Sequence, residues 1–215
     1  MNNVEEIYTL FSKVVYKSKL KNISKDEKDI ILNLIKTSNF YDSNLEDKNP
    51  NLHSKSSSNF YFLNDTNILF LKEKILNEFY NFTKKYLNYQ NTEFKINTSW
   101  IAKSEPNQSS EWHNHNNSWY SGILYIQTFQ NCGNIGFRSS ENKRYNIVPN
   151  VYNILNADQF NFIPEDNMIL FFPSQLEHKI FKNNSNVIRY SIAFNILPVG
   201  KIGGQGDGQL DLSIN

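Results

Sequence analysis

From residue 93 to residue 199 the chain is written in period two. Runs such as FKINTSWIAK (94–103), SWYSGILYIQTF (118–129), NMILFFPS (167–174) and VIRYSIAFNILPV (187–199) are rich in Ile, Val, Phe and Tyr. Turn-forming Asn, Gly, Asp and Ser separate them, and no helical spacing intervenes. Side chains two apart share a face of a strand, so such runs must bury one face or both against other strands or helices. Many short strands with regular turns close as a sandwich or barrel. The expectation for 93–199 is a jelly-roll-like double sheet.

The first 92 residues read differently. Residues 66–87, TNILFLKEKILNEFYNFTKKYL, place Ile68, Leu71, Ile75, Leu76, Phe79 and Phe82 along one broad apolar face, with Thr66 as a candidate cap. Residues 25–38 repeat the pattern more weakly through Ile30, Ile31, Leu34 and Ile35, with Ser24 as the N-cap. Residues 4–17 also have helical spacing, at Val4, Ile7, Leu10, Phe11, Val14 and Val15. Between the second and third helices, YDSNLEDKNPNLHSKSSSNF (41–60) reads as a polar loop, with His53 a solvated loop histidine. The plan is therefore α+β and mainly β. Residues 1–92 form a helical region bracing the sheet, 93–199 the jelly-roll core and 200–215 a glycine-rich tail, in one structural domain.

Composition narrows the function classes. Hydrophobic residues make up 39% and aromatics 14%, which is a globular balance. A net charge of +1 gives no electrostatic case for a nucleic acid or an anionic membrane, and neither partner is expected. No apolar run approaches the roughly 20 residues that span a bilayer. The start lacks the pattern of a signal peptide. A single cysteine, Cys132, excludes an intramolecular disulfide and fits a reducing compartment, so a cytoplasmic protein is expected.

Histidine carries the chemistry. The chain has 4, and two of them stand in EWHNHNNSWYSGILYIQ (111–127). In an extended segment His113 and His115 point to one face and can reach one ion. His178 follows in FFPSQLEHKIFK (171–182). Two ligands close in sequence and one from a distant strand can build a facial site on a jelly-roll. Imidazole suits several metals, so the ligands alone do not choose one. EHKIFKNNSNVIRYSIAFN (177–195) reads as a hairpin. A turn at Asn184–Ser185 would pair Ile180 with Arg189 and His178 with Ser191, so that His178, Arg189 and Ser191 face inward together. An inward arginine needs an anion. It is either a structural partner among Glu165, Asp166 and Glu177, or the carboxylate of a small acid held by Arg189 with help from Ser191. Trp112, Trp119 and Tyr120 flank the site in sequence, but aromatics beside a strand are more often core than substrate contacts. Pro173 and Ser174 read as a strand end and turn.

These phrases together resemble the Fe(II)- and 2-oxoglutarate-dependent oxygenases. The residues that carry the resemblance are HNH (113–115), His178 and RYS (189–191). More narrowly, HNHNNSWYSGILYIQ, NCGNIGF, LFFPSQLEHKI, IRYSIAFN and NPNLHSKSS are similar to a largely bacterial and phage-borne branch of that superfamily, over about residues 50–198. The resemblance implies a double-stranded β-helix (jelly-roll, cupin-like). It implies Fe(II) on His113, His115 and His178, 2-oxoglutarate held by Arg189, Ser191 and Tyr125, and O2 as the oxidant. The product would be a hydroxylated substrate, small molecule or protein side chain, formed through a ferryl intermediate. One position departs from the superfamily pattern: the second ligand is usually a carboxylate, and here it is His115. Glu111 and Glu177 lie close enough in sequence to serve instead. A three-histidine, cupin-type dioxygenase that uses no 2-oxoglutarate, or a jelly-roll binding module without catalysis, are the other readings open to the sequence.

Overall fold

The computed structural model describes residues 6–42, 52–139, 147–202 and 212–214. Among the described residues, eleven strands and two α-helices run in the order β1 (Tyr16–Lys19), α1 (Lys25–Thr37), β2 (Phe40–Asp42), β3 (Lys55–Ser57), α2 (Leu69–Tyr86), β4 (Glu93–Ser104), β5 (Tyr120–Gln127), β6 (Ile135–Arg138), β7 (Gln159–Phe162), β8 (Met168–Pro173), β9 (His178–Ile180), β10 (Arg189–Ile202) and β11 (Leu212–Ile214). The main sheet has the order β1-β8-β5-β10-β4-β3-β2, with β11 paired to β10. A minor sheet has the order β7-β6-β9. The architecture is a double-stranded β-helix with helices on one side, as the strand pattern of 93–199 required.

Strand parity divides the core. On β5, Leu124 and Ile126 face the helices while Ile123 and Tyr125 face the minor sheet. On β8, Ile169 and Phe171 take the first side, and Met168, Leu170 and Phe172 the second. On β10, Tyr190, Ile192, Phe194 and Ile196 pack under the helices, so Arg189 and Ser191 must face the other way. Phe79 of α2 lies at the centre of the helix side, with its ring 5.0 Å from Phe171, 5.1 Å from Phe94 and 5.6 Å from Tyr120. Trp119 and Tyr120 belong to this layer, Trp119 stacking on Phe94 at 5.2 Å. They are core residues on the far side of the sheet from the histidines.

One irregularity re-aims a strand. The ladder of β10 with β4 pairs Asn195 with Thr98 and then Ile196 with Ile96, leaving Asn97 as an extra residue. Such a bulge flips the parity that follows it. Phe94 and Ile96 therefore face the helices before it and Ile101 after it, which turns Trp100 and Ala102 toward the space between the sheets.

The helix predictions hold for α1 and α2. Ser24 accepts from the Glu27 N–H (3.1 Å) while Glu27 accepts from the Ser24 N–H (2.8 Å), a reciprocal capping box. Thr66 caps nothing at α2: Thr66–Ile68 is a 3-10 turn capped by Asp65, which accepts from the Asn67 N–H at 2.9 Å, and α2 itself starts after Ile68 with no side-chain cap. The helix expected over 4–17 is absent from the part described, residues 6–17. Ile7, Leu10 and Phe11 are exposed there and find no face to pack on. A lone helix of that length is marginal, whereas residues 16–19 gain a ladder with the edge of β8, and Tyr16 stacks on Phe82 at 4.8 Å. The N-terminal region thus supplies β1, β2 and β3 to the main sheet as well as helices. The glycine-rich segment is strand at both described ends, with Gly200 paired to Ile214 and Ile202 to Leu212; residues 203–211 lie outside the described residues.

The expected hairpin is also replaced. β9 pairs with β6 in the minor sheet, whereas β10 pairs with β4 and β5 in the main sheet. The intervening turn switches sheets, so His178 and Ser191 do not pair. They still face one another's layer, because each lies on the inner face of its own sheet.

Candidate metal and co-substrate site

The two histidine-bearing segments are tied by their backbones. The His113 N–H donates to the His178 carbonyl at 3.0 Å, and the His178 N–H donates to the His113 carbonyl at 2.9 Å. Two residues on, the His115 N–H donates to the Ser174 carbonyl at 2.8 Å. This frame brings the three imidazoles together, each offering a ligand atom within 4.8 Å of the others. Ring centroids are 4.4 Å apart for His113 and His178, 5.0 Å for His115 and His178, and 5.2 Å for His113 and His115.

The outer nitrogens are spoken for. His113 Nδ1 lies 2.9 Å from the Glu111 carbonyl, and His178 Nδ1 lies 3.0 Å from the Leu176 carbonyl. A carbonyl only accepts, so each Nδ1 carries the proton and each Nε2 keeps its lone pair for a metal. Burial, then the neighbouring His113, pushes the His115 pKa down to about 4. The same causes, with burial first, hold His178 well below the usual histidine value. Both are neutral at neutral pH, the form that ligates. Phe172 and Phe137 flank His178 at 4.7 and 6.0 Å, giving it an apolar wall.

Next to the triad lies a buried cation with unspent donors. Arg189 is fully buried at the start of β10. Its Nη1 donates weakly to the carbonyls of Cys132 (3.4 Å) and Gly133 (3.3 Å). Its Nε and Nη2 have no partner, nor do Tyr125 Oη and Ser191 Oγ. These three residues are adjacent: Ser191 pairs with Tyr125 across the β10–β5 ladder, and the guanidinium sits 5.8 Å from the Tyr125 ring centroid. Burial pushes the Tyr125 phenol well above its ordinary value and opposes the charge on Arg189. The acids that sequence offered as partners are all engaged elsewhere. Glu165 pairs with Lys17 (3.3 Å), Asp166 with Lys28 and Thr128, and Glu177 with Arg138 through two bonds of 2.9 and 3.1 Å. That also removes Glu177 as a metal ligand, and Glu111 is not part of the ligand cluster.

A cavity of about 340 Å³ joins the parts, lined by the triad and Arg189. Ile123, Ile135, Phe172 and Ile180 give it apolar walls, and Trp100, Ser56 and Glu111 add polar or aromatic surface. His53 was read from sequence as a solvated loop residue. It is 4% exposed and lines this cavity, because its neighbours dock on the segment after β4: the Ser54 N–H donates to Ser109 and the Ser109 N–H to Leu52, at 2.8 and 2.9 Å. All four histidines of the chain therefore face one cavity. The sequence reading missed His53, although the scarcity of histidine is a signal by which it could have been found. Nothing in the sequence pointed to Trp100, whose facing depends on the bulge.

Residues 98–195 match a family model described as "Putative 2OG-Fe(II) oxygenase". The family likeness is carried by those residues, which make up a 2OG-Fe(II) oxygenase family domain. No curated protein matches the chain. Among solved structures, the chain aligns with a prolyl hydroxylase from Trichoplax adhaerens, in complex with a hypoxia inducible factor peptide, at 15% identity and TM-score 0.58. That match covers 85% of this chain and 82% of the other. HygX from Streptomyces hygroscopicus, with nickel, 2-oxoglutarate and hygromycin B bound, aligns at 8% identity and TM-score 0.60, covering 86% and 83%. A Pseudomonas putida prolyl-4-hydroxylase aligns at 9% identity and TM-score 0.57, covering 86% and 93%. At these identities the likeness is one of fold.

The family uses Fe(II), 2-oxoglutarate and O2, and the residues of this oxygenase domain fit that set. Three converging imidazoles, two of them with Nδ1 bonded to a carbonyl and Nε2 left free, match a divalent metal. Two guanidinium donors, a phenol and a hydroxyl, all buried and unpartnered, match a carboxylate.

Proposed function

We propose that the chain is an Fe(II)- and 2-oxoglutarate-dependent dioxygenase that hydroxylates a small molecule or a protein side chain. The observation that carries the reading is the group of unpartnered buried atoms on Tyr125, Arg189 and Ser191, of which Arg189 lines the same cavity as the triad. A buried arginine without an anion costs several kcal/mol, and a fold keeps such a residue where a ligand completes it.

His113, His115 and His178 would hold the iron. Arg189 would take the far carboxylate of 2-oxoglutarate on Nε and Nη2, with Ser191 and Tyr125 donating to its oxygens. When bound, the iron and its co-substrate supply the activation of O2 and the oxidising power for hydroxylation. The protein's share is orientation and exclusion of water. Phe172, Ile123, Ile135 and Ile180 would give the co-substrate's chain apolar surroundings, and the Nδ1 bonds of His113 and His178 fix the direction of their lone pairs. The prolyl hydroxylases and HygX show that this fold serves both a peptide and a small-molecule partner, so both substrate classes stand. A cytoplasmic location belongs to the proposal; the lone, buried, unpaired Cys132 supports it. No helix among the described residues is long and apolar enough to cross a membrane.

The test is anaerobic titration of the Fe(II)-loaded protein with 2-oxoglutarate, following the visible charge-transfer band of the chelate. A saturable band that Arg189→Ala weakens is the expected result. One observation favours a second reading: the triad contains no carboxylate. If iron binds and no band forms, the site is a three-histidine dioxygenase and Arg189 receives the substrate's own carboxylate.

A further inference from the structure

The two bridged ligands share an unusual backing. Alternation along an extended segment sends the side chains before His113 and before His178 to the face away from the metal cluster. Those residues are Trp112 and Glu177, and one side chain meets both. Arg138, at the end of β6, donates Nε to Glu177 Oε2 at 2.9 Å and Nη2 to Glu177 Oε1 at 3.1 Å. Its own N–H donates to the Glu177 carbonyl at 3.0 Å. Its guanidinium carbon sits 4.6 Å from the centroid of the Trp112 ring. Lys179 also approaches that ring, at 5.6 Å, and Phe181 meets it edge-on at 6.2 Å.

We propose that Arg138 is a positioning residue for the metal centre: it grips the residue before each of two ligands and so sets the spacing between His113 and His178. The proposal rests on the reading of the triad as a metal site. An exposed ion pair ordinarily contributes little, and the Arg138 side chain is 40% exposed. Here, however, the fork is bidentate, the guanidinium sits over an aromatic ring, and the same residue holds the Glu177 backbone. Arginine alone can do all three, since lysine lacks both the fork and the planar face. His115 is placed separately, by the Ser174 carbonyl. Loosening Arg138 therefore disturbs two ligands of three and leaves the third and the Arg189 clamp in place.

Partners of this kind around metal ligands typically change metal affinity roughly 10–100-fold. The experiment measures anaerobic Co(II) affinity by chelator competition, together with the Co(II) visible spectrum and the melting temperature of the metal-free protein. Arg138→Ala is expected to weaken Co(II) binding at least about tenfold and alter the spectrum, while the metal-free melting temperature stays near wild type. Trp112→Ala removes the other grip and is expected to act in the same direction. Arg138→Lys, which keeps the charge, is expected to fall between alanine and wild type, and serves if alanine does not fold. Wild-type Co(II) affinity in Arg138→Ala and Trp112→Ala, with binding lost in His178→Ala, overturns the positioning role and leaves the metal site standing. Wild-type affinity in His178→Ala instead overturns the metal site itself.

Discussion

At the residue scale the site trades a carboxylate for an imidazole. Three neutral ligands leave a divalent ion its full charge, and they also tie the metal-free protein to pH. Burial first, then the neighbouring His113, lowers the His115 pKa from the ordinary 6.5 to about 4 on folding. Between those values the unfolded chain binds more protons than the folded one. Stability is therefore fully present above about pH 6.5 and is lost as pH falls toward 4, by up to about 3 kcal/mol from this residue. His178 acts in the same direction. Urea unfolding of metal-free protein at pH 7 and pH 4.5 measures the loss, and His115→Asn is expected to flatten it. Equal pH slopes in both proteins would mean that His115 is not held neutral by the fold. Arg189 sits at the same scale. Truncating one side of a buried charged pair costs about 2–5 kcal/mol, so Arg189→Ala is expected to weaken 2-oxoglutarate binding by at least about thirtyfold, while Fe(II) affinity changes little. Parallel titrations of the two ligands check this.

At the scale of elements, what the sequence shows depends on how locally each element is specified. The face of α2 is written in its own residues, and the strand runs of β5, β8 and β10 carry their own period. Phe79 makes the strength of that local pattern measurable. Its ring meets five other aromatic rings within 6.4 Å from a fully buried position, and Phe79→Ala is expected to cost about 3–5 kcal/mol in urea unfolding. The pairing of HNH with a distant histidine was visible because histidine is scarce and strand parity is simple. Features set by a partner were not. Residues 16–19 are a strand because β8 has a free edge, which no property of 4–17 announces. Trp100 reaches the cavity through one bulged residue, and His53 is buried by docking on residues 108–110. The turn after β9 joins two sheets instead of closing a hairpin, and local sequence does not distinguish these outcomes. The inward facing of Arg189 survived that error because each strand of a two-sheet fold has one inner face.

At the scale of the whole molecule, the fold carries a cost that only ligands offset. The space between the sheets holds a fully buried arginine whose Nε and Nη2 lack partners, beside a phenol and a hydroxyl in the same condition. Replacing a buried charge by a well-packed apolar side chain of similar length is often stabilising, by about 1–4 kcal/mol. Arg189→Met is therefore expected to raise the melting temperature of the metal-free, co-substrate-free protein. With Fe(II) and 2-oxoglutarate under anaerobic conditions the order should reverse. A ligand at a hundred times its Kd adds about 2.7 kcal/mol to the state that binds it, and only the wild type keeps the carboxylate clamp. The two proteins' melting curves, with and without both ligands, are expected to cross. If Arg189→Met destabilises the ligand-free protein, the arginine is satisfied by the fold and is not held in reserve for a co-substrate. If both proteins gain equally from 2-oxoglutarate, the carboxylate binds somewhere other than Arg189.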